Sequence, residues 1–287
     1  ALVVARTLTG FAAGTLSTCA LSFAGDHYSY QERGRAMGLL SMAYFLAFVV
    51  SAPAGALIAP IWGWRSIFGS FAVFAIVVLV LAWWQLPEAR AHQATQPMLP
   101  NFHRHFAKPD RLAGMAAAFL TSGGLVGFIT YVGAWLIDER QVGVRSMALV
   151  FVISGSAAVA AAPLSGWLSD HAGKRNVIIG ANILLAPVFI LVAQLDWGWL
   201  LAAGIAVLGI AASARQAPLH ALTTEIVGAE VRGEYTAMRN AASQIGIATA
   251  AAISAYVFDA SGFFGVSIVA AVFTALIPVT CIWLRER

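Results

Sequence analysis

RSIFGSFAVFAIVVLVLAWWQL, residues 65–86, carries no charge after Arg65, and its apolar side chains follow one another without alternation. A helix rises about 1.5 Å per residue, so roughly 20 residues cross the ~30 Å hydrocarbon core of a bilayer. A barrel strand would instead alternate apolar and polar positions over about ten residues. The stretch therefore reads as a transmembrane helix, with Trp83 and Trp84 at headgroup level.

Eight more apolar runs of spanning length flank it, at 1–25, 36–59, 112–137, 146–168, 176–195, 197–222, 235–258 and 263–284. The 287 residues are 60% hydrophobic and 10% charged, with mean hydropathy +0.80. Soluble domains carry about a quarter charged residues, which excludes a water-soluble protein. The connections are short and hold turn and charged residues, as in Asp138-Glu139-Arg140, Asp196 and Asp259-Ala260-Ser261-Gly262. They leave no room for a soluble domain, so the fold class is an all-α polytopic membrane protein. All nine tryptophans fall near span ends, as an aromatic belt requires. Cys19 and Cys281 lie inside spans and suggest neither a disulfide framework nor a metal site.

The pI near 9.4 reflects topology rather than nucleic acid. Of the 17 Lys and Arg residues, 12 fall on one side of alternate connections, among them Lys174, Arg175, Arg232 and Arg239. That side is expected to be cytoplasmic, and with it the C-terminus. The chain then starts at the outer face, at Ala1 inside an apolar run without signal-peptide features. A truncated N-terminus is the expectation.

A shift of 199 residues carries the opening stretch onto the last span. Ala72-Val73-Phe74 meets Ala271-Val272-Phe273, Trp84 meets Trp283, Gly63 meets Gly262, and Arg33-Gly34 meets Arg232-Gly233. The period covers six spans, an even number, so the repeats are parallel and related by an axis along the membrane normal. Spans one to three then correspond to spans seven to nine, and the expected whole is a twelve-helix protein of which helices 4 to 12 are present. The expected division is 1–86 for the rest of one half, 87–111 for a cytoplasmic linker, and 112–287 for a six-helix half. The linker has four prolines together with His92, His103 and His105, and reads as polar, weakly structured and solvated rather than metal-binding.

The residues 166–175, GWLSDHAGKR, resemble the signature loop G-x-L-x-D-x-x-G-R/K-R/K of the major facilitator superfamily. Physically, Gly166 allows close helix approach, Gly173 a tight turn, and Lys174 with Arg175 anchoring at an anionic membrane surface. The resemblance implies a conformational latch in which Asp170 approaches residues 31–34. Arg6 and Gly10 match the family's helix 4 motif, and an arginine within a span faces a cavity or partner by default. Ser51-Ala-Pro53-Ala-Gly55 departs from the antiporter pattern G-P-x-x-G-G, although Pro53 and Gly55 would still kink or thin the helix. Gly63-Trp64-Arg65 is also similar to a family loop. The resemblance, closest to the drug:proton efflux branch, covers the whole chain.

Substrates of such proteins bind near the midplane between repeats. Polar residues placed to line that region are Tyr44, Thr130, Tyr131, Arg215, Gln216, His220, Asn240 and Gln244. Arg215 has only alanine and serine neighbours at 211–214, so an anionic substrate is one reading of its counterion. No Asp or Glu occupies the middle of a span, which would leave proton coupling to the missing helices 1 to 3. Gly10 with Gly14, and Gly123 with Gly127, have the spacing of close helix contacts. A P-loop, G-x-S-x-G and H-E-x-x-H are all lacking, so ATP-driven transport and common hydrolase chemistry find no support.

The functional expectation is a secondary transporter, not an enzyme, that works by alternating access without cofactor or metal. Its partners would be a small-molecule substrate, protons and the lipid bilayer, without nucleic acid and as a monomer. Proton-coupled efflux of drug-like or metabolite compounds leads, ahead of uptake symport of a sugar or organic anion and of a non-transporting receptor or scaffold.

Overall fold

A computed structural model describes residues 2–27, 30–85, 103–106, 108–228 and 231–284. Its helices are α1 (Leu2–His27), α2 (Tyr30–Trp62), α3 (Arg65–Gln85), the single turn α4 (His103–Phe106), α5 (Pro109–Ala134), α6 (Val144–Ala172), α7 (Lys174–Gln194), α8 (Trp199–Glu225) and α9 (Arg232–Thr280). There is no strand among the described residues. Seven helices are long and apolar enough to cross a membrane; α1, rich in threonine, serine and glycine, is not one of them over its described residues.

Two glycines matched by the 199-residue shift share a left-handed backbone. Gly63, between α2 and α3, has φ 79°, and Gly262 has φ 66°. Side chains with a Cβ avoid this left-handed region, so both breaks need glycine. The second break is sharper than expected. The sequence predicts a connection at Asp259-Ala260-Ser261-Gly262, yet α9 is helical on both sides of Gly262, giving a first arm 232–261 and a second arm 263–280. The break frees the amide of Phe263, which donates to Glu139 Oε1 at 3.1 Å. A borrowed carboxylate therefore caps the second arm, favourably placed at a helix N-terminus.

Glu139 is delivered by a π-helical turn, Trp135–Glu139, that continues α5. This turn corrects the reading of Trp135 as a belt residue: it is 1% exposed and stacks on Phe263 with centroids 4.5 Å apart. Phe128 packs below, 4.7 Å from Phe189 and 4.9 Å from Phe263. The other eight tryptophans are exposed. A second cluster around Ile178, Leu219, Leu222, Tyr235 and Ile277 fills the opposite end of the α5–α9 bundle.

The start of α5 also departs from expectation. Residues 86–102 lie outside the described residues, but His103–Phe106 forms a helical turn, and His105 is buried rather than solvated. Its ring lies beside Tyr235, with Nδ1 3.1 Å from an Arg111 nitrogen and Nε2 3.4 Å from Glu234 Oε1. Pro109 in the first turn, with φ already helical, and Asp110 against the dipole start α5.

The α5–α9 bundle is held where two backbones touch. A Cβ on Gly246 would lie 2.2 Å from the Phe119 carbonyl oxygen, and one on Gly123 would lie 2.7 Å from the Gly246 oxygen. The expected Gly123 contact is therefore present, whereas Gly10 and Gly14 meet nothing within 4 Å. Gly246→Val is expected to destabilise the bundle by about 1–3 kcal/mol or more through forced separation of the helices. Thermal unfolding in detergent checks this, with Ser243→Ala on the same arm as the milder comparison.

Candidate functional site

Two seams join α1 and α2 to the rest of the molecule. Along the first, α2 crosses α6, and Phe45 inserts into the α5–α9 core at 4% exposure. Gly155 of α6 makes this approach possible, since a Cβ there would lie 2.5 Å from Val49 Cγ2 and 3.2 Å from the Phe45 carbonyl oxygen. Beside Phe45 is an apolar cavity of about 40 Å³, walled by Leu125, Phe128, Trp135, Ile205 and Leu208 among others.

The second seam is polar. Asn240 Nδ2 of α9 donates to Thr18 Oγ1 at 2.9 Å and to Ser17 Oγ at 3.3 Å on α1. Both hydroxyls give their own protons back to the Gly14 carbonyl, at 2.9 and 3.0 Å. Their lone pairs are thereby turned toward Asn240, as mid-helix Ser and Thr commonly arrange. Gln244, one turn further along α9, is exposed, and Gln216 is half-buried. Tyr131 is half-buried with its hydroxyl 3.4 Å from the Ala251 carbonyl, and Tyr44 is 43% exposed beside Phe45. Thr130 bonds its own helix at Val126.

Arg215, expected from sequence to line a cavity, is enclosed by neighbouring helices. It is 0% exposed, with one terminal nitrogen 2.7 Å from Asn182 Oδ1 and the other 3.2 Å from the Thr121 carbonyl oxygen. Asn182 is itself fixed, its amide donating to the Ile178 carbonyl at 2.7 Å. Arg215 thus ties α8 to α7 and α5 through neutral acceptors. Sequence reasoning looked for a carboxylate beside it in the chain, whereas the acceptor came from another helix.

The 166–175 segment is mostly helix. α6 runs to Ala172, and Gly173 alone, with φ 84°, turns the chain into α7. Gly166 has no neighbour within 4 Å of a Cβ position, so no close helix approach depends on it. Lys174 forms an ion pair with Glu225 at the end of α8 instead of reaching for lipid. Arg175 is half-buried. The side chains of Arg6, of Asp170 and of residues 31–34 lie outside the described residues, and so does the expected latch. α2 passes Pro53 as one helix, and a Cβ on Gly55 would lie 3.9 Å from Ile67 Cδ1 of α3.

The seam residues Phe45, Ser17, Thr18 and Gly155 were not identified from sequence. A phenylalanine or glycine in an apolar run carries no distinguishing signal, although the adjacent Ser17-Thr18 hydroxyls inside a span were visible.

The model of the Major Facilitator Superfamily matches residues 1–198 and, in a second overlapping alignment, 114–287. Among curated proteins, the uncharacterized MFS-type transporter YbcL of Bacillus subtilis (strain 168) is 23% identical over 251 residues, covering 88% of this chain and 64% of that protein. The purine ribonucleoside efflux pump NepI of Escherichia coli (strain K12) is 27% identical over 209 residues, covering 72% of this chain and 52% of that protein. The chain thus spans about half to two thirds of the length of these relatives. Among solved structures, the fucose:proton symporter FucP of E. coli superposes with TM-score 0.73 at 14% identity, over 95% of this chain and 74% of that one. A bacterial homologue of the iron transporter ferroportin, in an outward-facing state, superposes with TM-score 0.63 at 13% identity, over 89% and 65%.

Two outcomes follow from the site. In a background lacking Cys19 and Cys281, a Thr18→Cys/Asn240→Cys pair is expected to cross-link in membranes, and a Gly10→Cys/Gln244→Cys pair is not; gel mobility reads the difference. Asn182→Leu is expected to lower thermal stability more than the double change Asn182→Leu/Arg215→Met, because a buried guanidinium stripped of one acceptor costs more than an apolar pair in its place.

Proposed function

The chain belongs to the Major Facilitator Superfamily, and on that footing we propose that it is part of a secondary transporter that exports small drug-like or metabolite compounds in exchange for protons. Its known relatives are transporters rather than enzymes, and it is a multi-pass membrane protein. The proposed division is the one at residues 87–111, with α1–α3 on one side and α5–α9 on the other. The end carrying Arg111, Lys174 and Arg232 is proposed to face the cytoplasm, in keeping with the excess of basic residues on that side.

The observation that carries the reading is the nature of the two seams. Asn240 meets α1 through hydroxyls that already have partners, and α2 meets α6 along an uncharged stretch where Phe45 and Val49 pack on Gly155. Such contacts can open and close without stranding a buried charge, as alternating access requires. Around them, Tyr44, Tyr131, Gln216 and Gln244 supply hydrogen-bonding groups to a neutral or amphipathic solute. Symport of an organic anion through Arg215 is the second reading, disfavoured because Asn182 and Thr121 already hold both terminal nitrogens, although its Nε has no partner. The outward direction is supported by the efflux pump among the relatives.

The test is transport by the intact protein in inverted membrane vesicles, beginning with purine ribonucleosides and continuing with amphipathic drugs. Proton-gradient-driven accumulation that collapses with an uncoupler, and falls in Asn240→Leu, is the expected result. Failure to move any solute would favour a receptor or scaffold, and accumulation only in right-side-out vesicles would favour uptake.

A further inference from the structure

The α4 turn, just ahead of α5, is docked onto α9 through one ring. Lys108 is extended, with φ −108° and ψ 121°, because the residue before a proline avoids the helical region. That break parts α4 from α5 and lets the turn fold back beside the first turn of α5. His105 is thereby set between two helices remote in sequence, α5 and the first arm of α9. It is 1% exposed, and its ring lies 5.8 Å from that of Tyr235 between centroids.

The contacts of the ring fix where its proton is. Arg111 Nη1 lies 3.1 Å from His105 Nδ1, and a guanidinium can only donate. Nδ1 therefore accepts, and the proton of the ring belongs on Nε2. That nitrogen faces Glu234 Oε1 at 3.4 Å. Both atoms are buried, and neither has a hydrogen-bond partner among the described residues. Buried polar atoms left unpaired are costly, so the N–H and the carboxylate oxygen are each other's complement, a slight approach short of a charge-assisted bond.

Glu234 belongs to a part of α9 that is itself held. The hydroxyl of Tyr235, its neighbour, donates to the Arg111 carbonyl at 3.1 Å and is wedged against α5, where a Cβ on Gly114 would lie 2.1 Å from it. Arg111 thus meets α9 twice, by its main chain through Tyr235 and by its side chain through His105. Asn240, which makes the contact with α1, follows Glu234 by six residues on the same arm, about 9 Å along the axis.

We propose that His105 is a bridging residue, with its proton on Nε2, that straps the end of the segment joining the two groups of helices onto the first turn of α9. A pull on that segment is then delivered to the arm that carries Asn240 and not to α5 alone. This mechanical consequence rests on the proposed division at residues 87–111, whereas the strap itself does not. The role needs one acceptor and one donor on an uncharged side chain. Glutamine offers an amide oxygen to Arg111 and an amide N–H to Glu234, and leucine offers neither.

The test uses the intact protein in nanodiscs, with amide hydrogen exchange followed by mass spectrometry over residues 103–111 and 232–240. His105→Leu should speed exchange about tenfold in both segments, as the loss of a hydrogen bond to a charged group implies. His105→Gln should stay close to the unmodified protein. Ring nitrogen chemical shifts of histidine-labelled protein, assigned by difference from His105→Gln, should show His105 protonated on Nε2 and bare at Nδ1. Exchange over 232–240 that is unchanged in His105→Leu overturns the proposal. So does a His105→Gln variant that behaves like His105→Leu, or a proton found on Nδ1. If His105→Leu does not fold, the shifts and the exchange of His105→Gln decide. None of these readouts needs a transported solute, so a failure of the transport reading leaves them standing.

Discussion

The backbone contact of α5 with the first arm of α9, at Gly123, Phe119 and Gly246, is the constraint on which the bundle depends. Lipid tails are as apolar as leucine, so helices in a membrane are held by close packing and hydrogen bonds rather than by exclusion from water. Once two glycines let the backbones touch, α9 can neither slide nor turn freely against α5. Ser243 then reaches Ser122, Tyr131 reaches the Ala251 carbonyl, and Tyr235 reaches the Arg111 carbonyl. The same register points Asn240 outward at Thr18 and Ser17. A slip of one residue would swing every side chain on the arm by about 100° and move Asn240 off its partners.

The treatment of charge follows depth. At the helix ends, Arg140 pairs with Asp196 and Lys174 with Glu225, and Asp196 is largely exposed. Such pairs retain part of their hydration and contribute little to stability. Deeper in the bundle, Arg215 is met by an amide oxygen and a main-chain carbonyl. Neutral acceptors suit that position, since a carboxylate would add a second desolvation cost to the first. Glu139 shows a further use of a charge near a helix end: its oxygen replaces the hydrogen bond that the Gly262 break removes from Phe263.

The helical fold was legible in the sequence because its signals are local. Residues 65–86 announce a spanning helix by composition, and Gly63 and Gly262 announce related turns because the same left-handed backbone needs the same residue. What sequence reasoning missed depends on contacts between distant segments. Trp135 stands near a span end like a belt residue, and only the π turn and the ring of Phe263 draw it inward. His105 stands in a proline-rich polar stretch, and its burial depends on Tyr235 and Glu234, more than a hundred residues away. Within the candidate site, Asn240, Tyr131 and Gln244 were recognisable as polar groups in apolar runs, but their partners were not. The acceptor of Arg215 was not legible either, because Asn182, which holds it, belongs to α7.

The seams between α1–α2 and the α5–α9 bundle differ from the bundle's interior in how much must be lost to part them. Separating Asn240 from α1 leaves the Ser17 and Thr18 protons on Gly14, so the exchange is of acceptor contacts for water. Such an exchange is nearly balanced, at about 0.5–1.5 kcal/mol for a hydrogen bond. Withdrawing Phe45 from the core forfeits the burial of one ring, about 1.5–3 kcal/mol. These are two terms of a longer interface that α2 makes with α6 and α8, and a ligand's differential affinity for two arrangements of it is what would move the balance. The Gly123 and Gly246 contact, by contrast, is reinforced by hydrogen bonds at several levels along α9. The contact of α1 with α9 is thus slighter and more exchangeable than that of α5 with α9, whereas α2 is packed along α6 as closely as the helices of the bundle are on one another.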